Sequence, residues 1–422
     1  MEIDQEIESM KYLIENFYKL NRTATSGDHN KLVEFLCKQL SIKPLQGHCG
    51  SKVLTWEIPK AWNVKDGYLA NDKNEKIIDF NNNPLHLWAN SKKFIGNISF
   101  AELKKHLFYD INNPTKIPHH YRNQYAFGAS DWGFALCYND FLNLKDENYY
   151  VHIDTTYDLN GTMDIVNYQV SGEGEKTILF GAHTCHPALV TDGISNVAVL
   201  MEVIKRLEKR KLKNNYRFVF GPEFYAAGLY LEKAPQEEIS NIIGTYFLDM
   251  LGNNEKICWQ TSFYGDTYID KVTKNVMNNF IKDTKQYEYR KLWGNDETFY
   301  QGQPYLIPSV GIGGDKFADY HFDTDNNTFV NYEELKLSIE LIEKIINVYE
   351  NDYIPKLNFK GPLYLSKYNL YWDSKIYPEI YTKIESIQIL TDGKKSVLEI
   401  ADLVDLDFEF VYEFFKKIEE LV

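Results

Sequence analysis

The chain has 422 residues, 44% hydrophobic and 25% charged, a globular composition with room for two or three domains. Its 46 basic and 60 acidic residues leave a net charge of −14, which gains nothing from phosphate counterion release and argues against a nucleic-acid partner. No stretch approaches the roughly 18 apolar residues of a membrane span, and Cys37, Cys49, Cys137, Cys185 and Cys258 lie far apart with no CxxC, so reduced thiols in the cytoplasm are expected.

Residues 1–20 predict a helix, because Ile7, Met10, Leu13, Ile14 and Phe17 share one face, and their early charges leave no apolar core for a signal peptide. Ser26 or Asp28 can cap a second helix running to about Leu40. From 43 to 118 the texture changes to short strands, an Asn/Asp/Lys-rich turn region and a short helix capped by Ser99, read as a small β-rich domain inserted into a larger one. Beyond about 119, YYVHIDTTYD and MDIVNYQVSG alternate as strands and suggest a hairpin turning at Asn160-Gly161. KTILFGAH, YRFVFGPE, IIGTYFLDML and PYLIPSVGIGG read as buried strands, separated by helical runs that begin near Ser195 or Asn196 and at EELKLSIELIEK. Strands alternating with helices predict an α/β fold, a mainly parallel mixed sheet flanked by helices. Three helical segments in 360–422 follow, the last two in a helix-turn-helix pattern.

Ligands of open α/β sheets sit beyond the C-terminal strand ends. Here those ends carry His183 and His186, Glu223, Asp249 and, after the last strand, His321, with Asp192 in the loop VTDGISN. Such a nitrogen and oxygen donor set without thiolate suits catalytic zinc, one ion or two. Taken singly, each of these carboxylates reads as a turn or capping residue; the ordered set of five positions is what points to a metal.

The set resembles the co-catalytic zinc aminopeptidases, whose ligand order is His, bridging Asp, Glu, Asp, His. YHFDTD and NDETFYQGQPYLIPSVGI resemble segments of the same family. IPHHYRNQYAFGASDWGFAL, AHTCHPALVTDGIS and GPEFYAAGLYL resemble, more narrowly, aminopeptidase-like proteins that carry an inserted β-rich domain and a C-terminal winged helix. That resemblance implies a zinc domain over 1–42 and 119–355, the insertion over 43–118 and the winged helix over 360–422. It also implies an association with surface polysaccharide biosynthesis.

Two departures matter. The resembled enzymes have consecutive glutamates, a general base followed by a ligand, where this chain has Pro222-Glu223. General-base catalysis contributes ~10²–10⁴-fold, and Asp296 or Glu297 is the candidate replacement. The first ligand is also a choice: strand-end position favours His183, the CHP motif favours His186, and His186 is preferred. Cys185 reads as a small buried residue rather than a ligand.

His119, His120, Tyr121 and Arg122 read equally as substrate-binding groups or as structural residues beside the insertion. Trp132, Trp293 and Tyr300 read as core more than as pocket lining. His29, His48, His86, His106 and His152 read as structural. The C-terminal 396–422 segment holds two Lys against eight acidic residues, which suits packing or a protein partner rather than DNA. The expectation is a zinc-dependent hydrolase of an amide bond in a peptide or acylated sugar, open to homo-oligomer formation. The alternative is a catalytically impaired, metal-containing scaffold, which Pro222 favours.

Overall fold

The computed structural model describes residues 4–121, 125, 128 and 130–421. Two larger sheets organise the chain. Their strands are β1 (Leu45–His48), β2 (Ala61–Ala70), β3 (Lys76–Asp79), β4 (Phe94–Ser99), β5 (Asn148–Asp158), β6 (Thr162–Val170), β7 (Thr177–His183), β8 (Asn215–Gly221), β9 (Ile242–Asp249), β10 (Ile257–Gln260), β11 (Gln286–Tyr287) and β12 (Ser309–Gly314). The main sheet has the order β1-β6-β8-β7-β9-β12-β10-β11. Its centre, β8-β7-β9-β12, is parallel, while β6 and β10 pair antiparallel on either side of it. The C-terminal ends of the four central strands therefore line one rim.

Alternation along these strands feeds two cores. Ile178, Phe180 and Ala182 of β7 join one cluster with Phe218, Phe220, Tyr246 and Leu248, whereas Leu179 and Val219 face the other. The first face is covered by α1 (Gln5–Phe17), α2 (Gly27–Gln39), α3 (Ser195–Leu207), α5 (Tyr268–Phe280) and α6 (Tyr332–Asn351); α4 (Tyr225–Lys233) covers the second. Ser26, not Asp28, caps α2 by accepting the His29 amide at 3.1 Å. Ser99 caps its short helix through the Glu102 amide.

The hairpin expected at Asn160-Gly161 does not form. β5 and β6 lie in different sheets: β5 sits between β2 and β4 in a four-stranded antiparallel sheet ordered β3-β2-β5-β4, and β6 pairs with β1 and β8. The edges that a hairpin would join are already occupied. Gly161 marks the crossing, where an added Cβ would lie 2.3 Å from the Ala61 Cβ, so the glycine serves close approach rather than a tight turn. Beside the strands within 43–118, the small sheet thus takes in β5 from further along the chain, while β1 belongs to the main sheet.

The C-terminal helices are present as α7 (Pro378–Leu390), α8 (Val397–Val404) and α9 (Phe408–Leu421). α8 starts in a reciprocal capping box between Ser396 and Glu399. Buried residues of all three, including Ile384, Leu398 and Phe415, belong to the main core cluster. Among the described residues no strand follows β12.

Candidate metal centre

The rim above the parallel strands collects the predicted donors. His183 is the last residue of β7 and Asp249 the last of β9, both buried. His183 Nε2 lies 3.1 Å from Asp249 Oδ1 and 3.2 Å from Asp192 Oδ1. On the other side of Asp192, His321 Nε2 is 2.9 Å from Oδ2. His186 belongs to the group as well, with Nδ1 3.1 Å from His183 Nδ1 and 3.8 Å from Asp192 Oδ1. Both candidate first histidines are therefore inside one constellation. Oδ2 of Asp192 is buried with no hydrogen-bond partner among the described residues despite its nearness to the His321 imidazole. Two donor atoms this close but not aligned for a hydrogen bond are placed as neighbouring ligands of one cation would be, and the nitrogen and oxygen set fits zinc.

The loops that carry these groups are strained and held. Phe224, Met250 and His321, in or beside the donor positions, adopt φ of 63°, 53° and 62°, a region that costs a residue with a Cβ roughly 1–2 kcal/mol. Asp192 has φ −83° and ψ 71°, and Gly193 after it φ 127°, which a Cβ would oppose and where it would meet His183 Nδ1 at 3.1 Å. Asp325, fully buried, accepts the Thr191 and Asp192 amides at 2.9 and 3.1 Å and fixes that loop. Arg22, also fully buried, donates to the carbonyls of Thr184, His186 and Leu189. Asn295 donates to Asp249 Oδ2 at 2.7 Å and turns the other oxygen toward His183. Sequence reading singled out neither Arg22 nor Asn295, and it held Asp325 only as the last residue of YHFDTD, with no role attached. An arginine or asparagine in a loop carries no pattern that marks it as a support; only the folded proximity does.

Electrostatics agree with a cation site. Burial works against charge on His183, yet Asp249 and Asp192 hold its imidazole well above the usual histidine range. Burial and the neighbouring imidazoles hold His186 well below that range. Burial opposes the Asp192 carboxylate too, but His186, His321 and His183 hold it well below the usual range. Asp192 and Asp249 thus favour a positive charge between them, the place a metal ion would take over.

The remaining predicted site residues stand at its border. Glu223 follows β8 and accepts the Tyr125 hydroxyl at 2.5 Å. Its amide donates to Cys185 Sγ at 3.2 Å, so the buried thiol acts as a structural acceptor. Burial raises the Glu223 carboxyl to about 7, with His183 and Tyr125 opposing the rise. Asp296 accepts the Phe224 amide, next to Glu223, and burial raises it to about 7. Glu297 turns back to the Asn295 amide at 2.7 Å, faces Arg290 at 3.5 Å and is raised by burial to about 7.

Other expectations resolve into packing. Trp132 is stacked between His106 and Phe94, with ring centroids at 3.9 and 4.4 Å. Trp293 and Tyr300 are buried in hydrophobic clusters. His29 bonds Thr184 Oγ1 at 2.7 Å, and His86 and His106 bond backbone carbonyls. His120 stacks on Trp88 at 4.0 Å, and His119 lies beside the donor group. Arg122, with 123, 124, 126, 127 and 129 of the same stretch, lies outside the described residues.

Known proteins share this architecture. A family described as Domain of unknown function (DUF4910) matches residues 11–352. A Clostridium acetobutylicum protein described as a putative polysaccharide biosynthesis protein with aminopeptidase-like domain is 30% identical over 403 residues, covering 94% of this chain and 91% of its own. The crystal structure of a putative peptidase from Clostridium acetobutylicum superposes with a TM-score of 0.86 at 27% identity, over 96% of this chain and 93% of the other. A zinc aminopeptidase from Bacillus subtilis shares the fold, with a TM-score of 0.58 at 13% identity over 82% and 94% of the two chains. With an eight-stranded mixed sheet, helices on both faces and a match over most of its length, the chain belongs to the DUF4910 family and has the fold of the zinc aminopeptidases.

Proposed function

We propose that the chain is a zinc-dependent hydrolase acting on an amide bond, in a peptide or an acylated amino sugar, within surface polysaccharide biosynthesis. The observation that carries the reading is Asp192, whose two oxygens face different imidazoles, His183 on one side and His321 on the other. His183, His186, Asp192, Asp249 and His321 are the proposed metal donors, with Glu223 added from the resemblance. Zinc, when bound, supplies Lewis acidity toward a carbonyl and makes a water more acidic. The chain's own residues do the rest. Asn295 orients Asp249. Glu223, Asp296 and Glu297, raised by burial to about 7, are carboxyl groups able to hold or release a proton near neutrality, and Asp296 or Glu297 takes the role that Pro222 leaves open.

The polysaccharide setting is supported by the description of the Clostridium acetobutylicum relative. Five unpaired cysteines support a cytoplasmic home. Among the described residues no helix is long and apolar enough to cross a membrane. We take 1–42 and 119–355 as the zinc domain, 43–118 as an insertion whose sheet is extended by β5, and 360–422 as a winged-helix-like unit available to a protein partner.

Elemental analysis of the purified protein, with a panel of amide and ester substrates, tests the reading. Turnover abolished by a chelator and restored by zinc or cobalt is expected, with metal content lowered in His321→Ala and Glu223→Ala. Unchanged zinc content in both variants would sink the metal assignment. A second reading, a metal-bearing scaffold without turnover, is favoured by Pro222. Zinc binding with no hydrolysis across the whole panel would select it.

A further inference from the structure

His119 lies outside the ligand order of the resembled enzymes, and its surroundings are unusual for an imidazole. The side chain is 6% exposed, and neither ring nitrogen has a hydrogen-bond partner among the described residues. Leaving a buried polar group unmatched costs about 1–3 kcal/mol, so a histidine kept this way needs a reason that the protein part alone does not supply. The ring is not simply packed among apolar side chains. Its centroid is 5.4 Å from that of His186 and 5.4 Å from that of His321, and these two rings are 5.4 Å from each other. One nitrogen from each of the three lies within 4.8 Å of the others.

The backbone holds this triangle in place. The His119 amide donates to the His321 carbonyl at 2.8 Å, beside an antiparallel bridge between Pro118 and Phe322. One step back, the Ile117 amide donates to Asp323 Oδ1 at 2.8 Å, and the Asp323 amide returns to the Ile117 carbonyl at 3.0 Å. The segment that ends at His119 is thus zipped to the loop that carries His321. Zinc–nitrogen distances near 2.0–2.1 Å in a tetrahedron put donor nitrogens roughly 3.4 Å apart. The three imidazoles need only a modest contraction to reach that spacing.

We propose that His119 is an additional metal ligand, which with His186 and His321 forms a three-imidazole position beside Asp192 Oδ2. The inference rests on the metal centre proposed above and deepens it. Three nitrogen donors and one carboxylate oxygen make a borderline-soft site for zinc or cobalt. It is distinct in composition from the His183, Asp192 and Asp249 group on the other side of the shared aspartate.

The full-length protein is stripped with a chelator and titrated with Zn²⁺ against a chromophoric competitor, and with Co²⁺ followed by its visible bands. Wild type is expected to take up two ions. His119→Ala is expected to bind one of them with affinity reduced by at least roughly 100-fold, with weaker cobalt bands, and to keep the other; His48→Ala, at an exposed position, binds as wild type. Two ions held by His119→Ala with wild-type affinity and bands overturns the proposal. No tight ion in wild type overturns the metal centre itself, a different result. As a measurement that does not depend on the alanine variant folding, ¹⁵N-histidine-labelled wild type is titrated with Zn²⁺. The His119 ring resonances, assigned by their loss in His119→Phe, are expected to shift with the second equivalent, and resonances that stay fixed refute the assignment.

Discussion

Asp192 presents Oδ1 to His183 at 3.2 Å and Oδ2 to His321 at 2.9 Å, so its symmetry as a carboxylate is the property in use. Asp192→Asn keeps the shape and replaces one oxygen with a donor that meets an imidazole or a cation unfavourably. Metal affinity is expected to fall by at least about tenfold, measured by chelator competition, while the far-ultraviolet spectrum is kept. Glu297 makes a second residue-scale case. Burial lifts its carboxyl from the model-compound value of 4.5 to about 7, and Oε1 has no hydrogen-bond partner among the described residues. Below about 4.5 both the folded and the unfolded chain hold the proton. Between 4.5 and 7 the folded chain keeps it while the unfolded chain has lost it, so stability falls as pH rises through that window. The loss amounts to about 3 kcal/mol and is complete above about pH 7. Urea unfolding of the metal-free protein between pH 5 and 8 should show this slope, and Glu297→Gln should reduce it, the shares of Glu223 and Asp296 remaining. An unchanged slope in the variant would place the titration elsewhere. The convergence of Asp249 and His321 on one rim was legible from strand-end position and order, whereas the approach of Asn295 and His119 was not, because such contacts show only when two loops meet.

At the scale of elements, β7 was read correctly from composition. A run of seven buried residues, Thr177–His183, can only be a central strand, and the strand delivers His183 to the rim. The Asn160-Gly161 step was misread because turn chemistry is local and strand pairing is not. β5 and β6 each satisfy their hydrogen bonds in a different sheet, and the glycine is there for its closeness to Ala61. The loop after β7 shows the same division. Its CHP sequence is visible, but its conformation is set by Arg22, 162 residues before Thr184, whose carbonyl it holds at 3.1 Å together with those of His186 and Leu189. Arg22→Met fills the volume yet leaves three carbonyls without their donor. A loss of about 3–5 kcal/mol in urea unfolding is expected, accompanied by weaker zinc binding. Wild-type stability in that variant would mean that the loop holds itself.

The whole molecule is tied together at its C-terminal end through α5. Asn275 Nδ2 donates to Asp402 Oδ1 at 2.9 Å and to the Leu406 carbonyl at 3.0 Å, and its Oδ1 accepts the Phe408 amide at 2.9 Å. Leu398 N adds a bond to Asp352 Oδ1 at 3.0 Å. α8 and α9 therefore spend their apolar faces on the zinc-aminopeptidase-like unit, which agrees with the acidic, apolar-periodic reading of 396–422. Asn275→Ala removes three hydrogen bonds at this junction, one buried and two partly buried, and is expected to lower stability by about 2–4 kcal/mol, with α8 and α9 gaining amide exchange first. Deleting 360–422 takes Leu398, Phe408 and Phe415 out of the shared core and uncovers Val276 and Val348, which line a crevice with Phe408, so the shortened chain should aggregate on light scattering. A truncated protein that stays monomeric with native melting would show the two parts to be independent.

What the sequence determined by itself is the α/β class, the buried parallel strands and the order of the candidate donor residues along their C-terminal ends, because periodicity and strand-end position are properties of contiguous residues. What only the tertiary structure decided is which sheet each strand joins, how His183 and His186 share one constellation, and which distant groups hold it. Arg22, His119, Asn295 and Asp325 act through neighbours up to 202 residues away, as the 119–321 pair does. Proximity of that kind arises from packing two faces of a sheet and two loops at its rim, and no local pattern encodes it.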